Sequence, residues 1–119
     1  VKRHPLLRAE IKRTNDEMVR YFVKMNDEDA YKFDNIEYYE TSETLKWLEL
    51  MDADILQPFD MSKGPLWRMK LIKLVENQDK LIDYNYALIL STQHSIGDGR
   101  NKYELGVQLL NILGALIEN

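Results

Sequence analysis

The clearest pattern in the sequence is an alternation of apolar and polar residues over residues 82–93. A period of two predicts a β-strand with two distinct faces. Residues 87–90 are all apolar, so we expect both faces to be covered there and the strand to run into the interior. His94 follows directly, and glycines at 97 and 99 end the pattern. The sequence therefore predicts a histidine loop at the end of a buried strand.

A helix is predicted after this loop. Asn101, with Glu104 three residues later, fits the reciprocal cap of a helix start. Apolar residues then recur at helical spacing; they are Leu105, Leu109, Ile112, Leu113 and Leu116. The predicted order is strand, histidine loop, helix, a common setting for reactive side chains because the loop is held from both sides.

The sequence pattern in the first half of the chain predicts two strands and a helix. Residues 7–11 and 19–25 alternate and are separated by the polar run 14–17, which is typical of two half-buried strands joined by a turn. Ser42 followed by Glu43 indicates a helix start, and apolar residues on one face predict a helix from about 43 to 56.

Residues 57–65 contain two prolines and a glycine, which exclude regular structure. Strand character resumes over 66–75, where the apolar face switches midway; this indicates a bulge or burial on both sides. Together the elements predict an α/β (α+β) two-layer sandwich, with a mixed, largely antiparallel sheet and helices on one face. Residues 1–119 are expected to form a single domain.

Composition narrows the class of protein. With 45% hydrophobic and 30% charged residues, the chain has the composition of a soluble globular domain. The absence of cysteine excludes disulfides and thiolate metal sites. No apolar run is long enough to span a bilayer, no signal peptide is recognised, and the net charge of −4 argues against nucleic-acid binding. We expect a cytoplasmic protein, and the start at Val1 indicates an excised piece.

Three separated segments resemble one superfamily, the histidine-dependent acyltransferases that include chloramphenicol acetyltransferase, peptide-synthetase condensation domains and alcohol acetyltransferases. Residues 93–99 (QHSIGDG) resemble the HHxxxDG signature, with Gln93 in place of the first histidine. Residues 3–8 (RHPLLR) resemble the RHxxLR segment, and residues 58–68 resemble the PFD...GPLWR connection. The resemblance covers essentially the whole chain, which would be most of the N-terminal lobe of a two-lobed protein.

The resemblance implies a mechanism and roles for several residues. His94 would be the general base that removes a proton from a hydroxyl or amine as it attacks a thioester carbonyl. Asp98 would be a structural, buried carboxylate paired with an arginine; Arg3 is the favoured partner, ahead of Arg8 and an arginine of the missing lobe. Gly99 would provide a backbone conformation or a close approach that a Cβ would block. The co-substrate would be a coenzyme A or phosphopantetheine thioester, with no permanently bound cofactor. The acceptor would be a small molecule or a peptidyl group.

A metal site and a non-catalytic module are two alternatives to a catalytic role for His94. His94 and Asp98 are also metal-ligand types, but the only other histidine is His4 and cysteine is absent, so no metal site is expected. The chain could instead be a non-catalytic condensation-like binding or docking module that kept the fold. Without the C-terminal lobe, we expect the 119-residue piece to be inactive and to associate with itself.

Overall fold

The described residues form two small sheets and two α-helices. The structure, a computed structural model, describes residues 4–23, 35–76 and 84–118. Short 3-10 turns at Pro5–Arg8 and His94–Ile96 precede β1 and α2 respectively. The elements are β1 (Ala9–Arg13), β2 (Val19–Val23), β3 (Ile36–Thr41), α1 (Lys46–Leu56), β4 (Trp67–Leu74), β5 (Tyr86–Thr92) and α2 (Gly99–Glu118).

The strands pair in two groups. β1 and β2 form an antiparallel ribbon, and β3, β4 and β5 form a mixed sheet in that order, with β4 parallel to β3 and antiparallel to β5. The predicted mixed α/β fold is therefore confirmed, as is the order of strand, histidine loop and helix. The predicted continuations of β2 to residue 25 and of β5 back to residue 82 lie outside the described residues.

The switch of apolar face in β4 reflects burial on both sides. The register with β5 runs without interruption from Trp67 opposite Thr92 to Lys73 opposite Tyr86, so this ladder contains no bulge. Ile72 and Leu74 are buried on one face, whereas Trp67 is buried on the other. A central strand between two partners needs cover on both faces, which explains why its alternation is imperfect.

In the described residues, α1 and α2 lie on different faces of the three-stranded sheet, whereas the sequence pattern had placed the helices on one face. Asp54 of α1 contacts Arg68 and Lys70 of β4. α2 instead faces Met69 and its cross-strand partner Leu90, across a cavity of about 330 Å³. Because successive side chains of a strand point to opposite faces, these contacts place α1 and α2 on different sides.

In the described part of the chain β5 is an edge strand, which differs from the expectation that it runs into the interior. It pairs with β4 alone in the described part of the chain, and none of its residues is buried. Leu88 is 38% exposed and Tyr86 54% exposed. An apolar run is equally compatible with a covered strand and with an edge strand, and pairing decides between them. His94 thus follows an edge strand.

Both helices begin at positions other than those predicted. α1 starts at Lys46 after a turn and has no side-chain cap. α2 starts at Gly99, and its N-cap is Asp98, whose Oδ1 accepts a hydrogen bond from the Asn101 backbone N–H at 2.9 Å. Asn101 is therefore not the cap. Glu104 pairs with Arg100 one turn away, at 3.1 Å.

The core of the described structure is small and is formed mainly by β1 and β4. Its buried apolar residues are Leu7, Ala9, Ile11, Leu66, Trp67, Ile72 and Leu74. The Trp67 indole N–H donates to the Leu7 carbonyl at 2.9 Å, and the Ile11 N–H donates to the Met61 carbonyl at 2.6 Å. These bonds attach the irregular segment 57–65 to β1. None of the helices in the described ranges has the length and apolar character needed to cross a bilayer.

Gly64 fits a tight space against β1. It has φ of +54°, in the left-handed region, and a Cβ added there would lie 2.7 Å from the Ala9 carbonyl oxygen. The backbone at Ala9 belongs to a paired strand and is itself buried, so it has little freedom to move away. A side chain at residue 64 would therefore be strained in both conformation and packing.

We predict that Gly64→Ala destabilises the full-length protein by more than about 2 kcal/mol, since the left-handed conformation and the backbone clash both oppose a Cβ. Denaturant unfolding would measure the change. The matched control is Gly114→Ala in α2, where a Cβ would meet nothing within 4 Å and the helix propensity improves. Equal stability of the two variants would contradict the packing account.

Candidate functional site around His94

The loop that carries His94 is fixed to the rest of the molecule by backbone contacts. The Gln93 N–H donates to the carbonyl of the fully buried Leu66 at 2.8 Å. The Tyr21 hydroxyl of β2 donates to the Ser95 carbonyl at 2.8 Å. On the far side, the Asp98 cap ties the loop to α2. The histidine backbone is therefore held from both sheets and from the following helix.

Gln93 has a structural role in this loop. Its side-chain Oε1 accepts hydrogen bonds from the Ser95 N–H, at 2.6 Å, and from the Ser95 hydroxyl. It thus caps the 3-10 turn that contains His94. The residue that departs from the family signature is turned towards its own loop, where it stabilises the backbone around the histidine.

The His94 side chain is exposed. Within residues 4–23, 35–76 and 84–118, its imidazole makes no hydrogen bond, in contrast to His4, whose Nε2 lies 2.8 Å from Gln108 Oε1. A fixed backbone with an unengaged ring leaves both nitrogens available to a ligand.

A groove of about 610 Å³ runs along His94. We call it the His94 groove. α1 and the 57–61 segment form one wall, β4 and β5 contribute its floor, and Lys102 of α2 lies at the end near the histidine. Its volume is in the range typical of small-molecule sites. The candidate site is therefore the histidine loop together with this groove.

A buried charge cluster forms part of the groove wall. The Asp54 carboxylate, on a residue that is 3% exposed, accepts from Arg68 Nε at 2.7 Å, from Lys70 Nζ at 2.5 Å and from the Ser91 hydroxyl. Arg68 also donates through Nη2 to the carbonyls of Asp54 and Gln57, both at 2.6 Å. One carboxylate therefore joins α1 to both β4 and β5.

The guanidinium of Arg68 has a further contact that shapes the groove. It lies 4.1 Å from the centroid of the Phe59 ring, a cation–π distance. Arg68 thereby links the end of α1, at Gln57, to the segment that follows it. Arg68 thus ties this wall of the groove to β4.

Burial raises the pKa of the Asp54 carboxyl, but hydrogen bonds from Lys70 and Ser91 and the charge of Arg68 outweigh burial and hold the pKa below its ordinary value. The carboxylate is thus ionised at neutral pH. A buried charge of this kind is stable only with its partners in place.

The sequence interpretation missed this cluster, although the sequence contains a signal for it. Asp54 stands three residues after Met51, on the stripe expected to be apolar, and Arg68 and Lys70 share one face of β4 by their spacing of two. Ile55, which the helical pattern placed on the buried face, is 72% exposed. The helix presents the aspartate to the sheet in its place.

Asp54→Asn is expected to lower the free energy of unfolding at pH 7 by about 3–5 kcal/mol, because two cations are left without their carboxylate. The folded pKa lies below the unfolded value of about 3.9, so this contribution is complete above that pH and is lost as pH falls through the folded pKa. The difference between wild type and variant should therefore shrink on acidification. Denaturant unfolding at pH 7, 4 and 3 checks both effects.

The control for this experiment is Asp52→Asn, an exposed aspartate on the same helix. Its effect should stay within about 0.5 kcal/mol. A wild-type advantage over Asp54→Asn that grew at low pH would contradict the assigned direction of the pKa shift.

The structure bears differently on the three residues that were expected to support His94. Arg3 lies outside the described residues, so its pairing with Asp98 stays a prediction. Asp98 is exposed, which differs from the expected burial, because its carboxylate is used at the start of α2. Gly99 is the first residue of α2; a Cβ there would meet nothing within 4 Å of the described structure. The described residues therefore give no close approach that a Cβ at residue 99 would block.

Asp98→Asn separates capping from ion pairing. Asparagine caps helices about as well as aspartate. Alanine cannot cap, and its substitution for a capping residue lowers the free energy of unfolding by about 0.5–2 kcal/mol. We expect Asp98→Ala to be destabilised by that amount and Asp98→Asn to match wild type, as judged by denaturant unfolding of the full-length protein. If Asn were as damaging as Ala, the carboxylate charge would be essential and pairing with an arginine would regain support.

No group of three or more side chains that could bind a metal occurs in the described ranges. His94 and Asp98 therefore have no third ligand there. The groove instead contains one histidine, one neutralised carboxylate and cationic side chains, a combination suited to proton transfer and to binding of polar ligands.

The fold is shared with several solved structures. The starter condensation domain of rhizomide synthetase matches with a TM-score of 0.61 and 18% identity, over 85% of this chain and 21% of that chain. The tallysomycin biosynthesis protein TlmII matches with a TM-score of 0.57 and 22% identity, over 84% of this chain and 22% of that chain. A four-domain nonribosomal peptide synthetase matches with a TM-score of 0.58 and 21% identity, over 80% of this chain and 6% of that chain.

The chain has the condensation-domain fold. This agrees with the resemblance of residues 93–99, 3–8 and 58–68 to the acyltransferase segments described above. No protein-family model matches the sequence.

Two peptide synthetases are similar in sequence. A linear gramicidin synthase of Brevibacillus parabrevis is 26% identical over 116 residues, which is 98% of this chain. Gramicidin S synthase 2 of Brevibacillus brevis is 31% identical over 99 residues, or 83% of this chain. The chain spans about 1% and 2% of these relatives respectively, so it corresponds to a small part of each.

Proposed function

We propose that this chain forms most of the N-terminal lobe of a condensation domain, and that His94 acts there as general base in acyl or peptidyl transfer. The observation that carries the proposal is an exposed imidazole on a loop fixed to both sheets and to α2, beside a groove of about 610 Å³. The condensation-domain fold and the similarity to two gramicidin synthetases support it.

In this reaction, an amine or hydroxyl of the acceptor attacks the carbonyl of an acyl thioester. His94 removes the proton from the attacking atom as the new C–N or C–O bond forms. The C–S bond then breaks, and the proton passes to the departing thiolate. Positioned proton transfer of this kind contributes about 10²- to 10⁴-fold to rate.

The similarity to peptide synthetases favours a donor thioester on the phosphopantetheine arm of a carrier over free coenzyme A. The acceptor would be an aminoacyl or peptidyl amine. The roles of Arg3, Asp98 and Gly99 within this proposal are structural support of the histidine loop. Only Asp98 and Gly99 lie in the described part of the chain, and both are at the junction of that loop with α2.

Exposed apolar side chains of α2 support the proposal that more protein covers this lobe. Leu110 and Leu116 are 63% and 69% exposed, and Ile112 is 59% exposed. Apolar helix surface of this kind is normally buried by another domain or another copy. We propose the C-terminal lobe as its cover, with self-association of the isolated chain as the consequence of its absence.

A second candidate function is a docking module that kept the fold without catalysis. Gln93 favours it, because the position of the first signature histidine is used as a turn cap. The lack of an orienting hydrogen bond on the His94 ring in the described residues also favours it, since catalytic histidines are usually oriented by a neighbour. The two functions differ in the effect of removing His94.

We predict that His94→Ala in the full-length protein lowers single-turnover acyl transfer by about 10²- to 10⁴-fold, since the base is lost. Its melting temperature should match wild type, because the exposed ring makes no hydrogen bond in the described ranges. His94→Gln is the matched variant, similar in size and without a usable base. Turnover above half the parent rate in either variant would reject His94 as base and favour the docking module.

A further inference from the structure

The His94 groove has a cationic lining, although the chain carries a net charge of −4. Its charged lining residues are Asp54, Arg68 and Lys102. Asp54 is already neutralised by Arg68 at 2.7 Å, and Lys70 adds a second cation behind it at 2.5 Å. No carboxylate in the lining is therefore left to balance Lys102.

Lys102 lies at the start of α2, one helical turn after the Asp98 cap. It is half-buried, and the first turn of the helix contains no acidic side chain. The neighbouring Arg100 is paired with Glu104 at 3.1 Å. Lys102 differs from it, because its ammonium has no hydrogen-bond or ion-pair partner in residues 4–23, 35–76 and 84–118, and the Asp98 carboxylate is engaged by the Asn101 N–H.

We propose that Lys102 is a substrate-binding residue of this groove, which takes an anionic oxygen group of the ligand, a carboxylate or a phosphate. An ammonium in a cleft attracts anions, since the low-dielectric walls concentrate its field. Lysine suits such groups as a compact charge with three donors. The assignment rests on the proposed function and deepens it by naming the chemical class of the substrate.

Two parts of an acyl-transfer substrate could supply this group. One is the phosphate of the pantetheine arm, and the other is a carboxylate on the acyl or acceptor group. Both would place negative charge in the groove that His94 borders. Small ligands that carry one or the other group distinguish the two sources.

The test measures binding to the full-length protein by isothermal titration calorimetry with two pairs of probes. Pantetheine and 4′-phosphopantetheine differ by the phosphate, whereas S-butyrylpantetheine and S-succinylpantetheine differ by a terminal carboxylate. We expect the anionic member of one pair to bind about 10- to 100-fold tighter than its neutral partner, the range for a hydrogen bond to a charged group. The preference should weaken as salt is raised.

Three variants at residue 102 make the assignment specific. Lys102→Met, which keeps the length of the side chain, should abolish the preference; Lys102→Arg should retain it, and Lys102→Glu should reverse it. None should lower the melting temperature, because the ammonium has no partner to lose in the described structure. Lys63→Met, at an 81% exposed lysine that does not line the groove, is the charge-matched control and should behave as wild type.

The outcomes for Lys102 and for the proposed reaction are separable. His94→Ala should keep the anion preference while it loses turnover, so a failure of catalysis would leave the binding result standing. Equal binding within both probe pairs in wild type would overturn the proposal. So would an anion preference that survives in Lys102→Met.

Discussion

The described structure depends most on one buried carboxylate. Asp54 is the only acidic side chain among its buried residues, and it is reached by Arg68 and Lys70 from β4 and by Ser91 from β5. A charge in that position is stable only when all three partners are in place, so the docking of α1 is specified by geometry as well as by apolar burial. With a core of seven apolar residues in the described ranges, this polar contact has an unusual share in fixing the architecture.

The contact between Asp54 and Arg68 also joins the core of the sheet to the His94 groove. Arg68 lies opposite Ser91 in the β4–β5 ladder, and Ser91 is three residues before His94. Through Nη2 the guanidinium also holds the end of α1, and its face covers Phe59. The wall of the His94 groove and the strand that leads to the histidine are thus parts of one hydrogen-bonded unit. The loop itself is then set by Gln93, which bonds to Leu66 through its backbone and to Ser95 through its side chain.

Sequence pattern predicted β1, β2, β4, β5 and the position of the histidine loop, because period and turn chemistry are local properties. It did not predict β3. It failed where tertiary pairing decides. The apolar run 87–90 looks the same in an interior strand and in an edge strand, and only the absence of a second described neighbour makes β5 an edge. Asp98 and Asn101 are both good capping residues less than one turn apart, so the helix start could not be fixed from residue type alone. The buried charge cluster depends on residues 14 to 37 positions apart, which no local pattern brings together.

The register of the three-stranded sheet has a consequence for the order of folding. β4 and β5 pair within one hairpin, from Trp67 opposite Thr92 inwards, whereas β3 reaches β4 only after a crossover that contains α1. Closure of the shorter loop is entropically easier, so we expect the hairpin to form first. α1 must then dock against it, and the Asp54 carboxylate loses its water only when Arg68, Lys70 and Ser91 are already in place on the hairpin. The groove beside His94 is therefore expected to form only when α1 docks, after the strand that leads to the histidine is already paired.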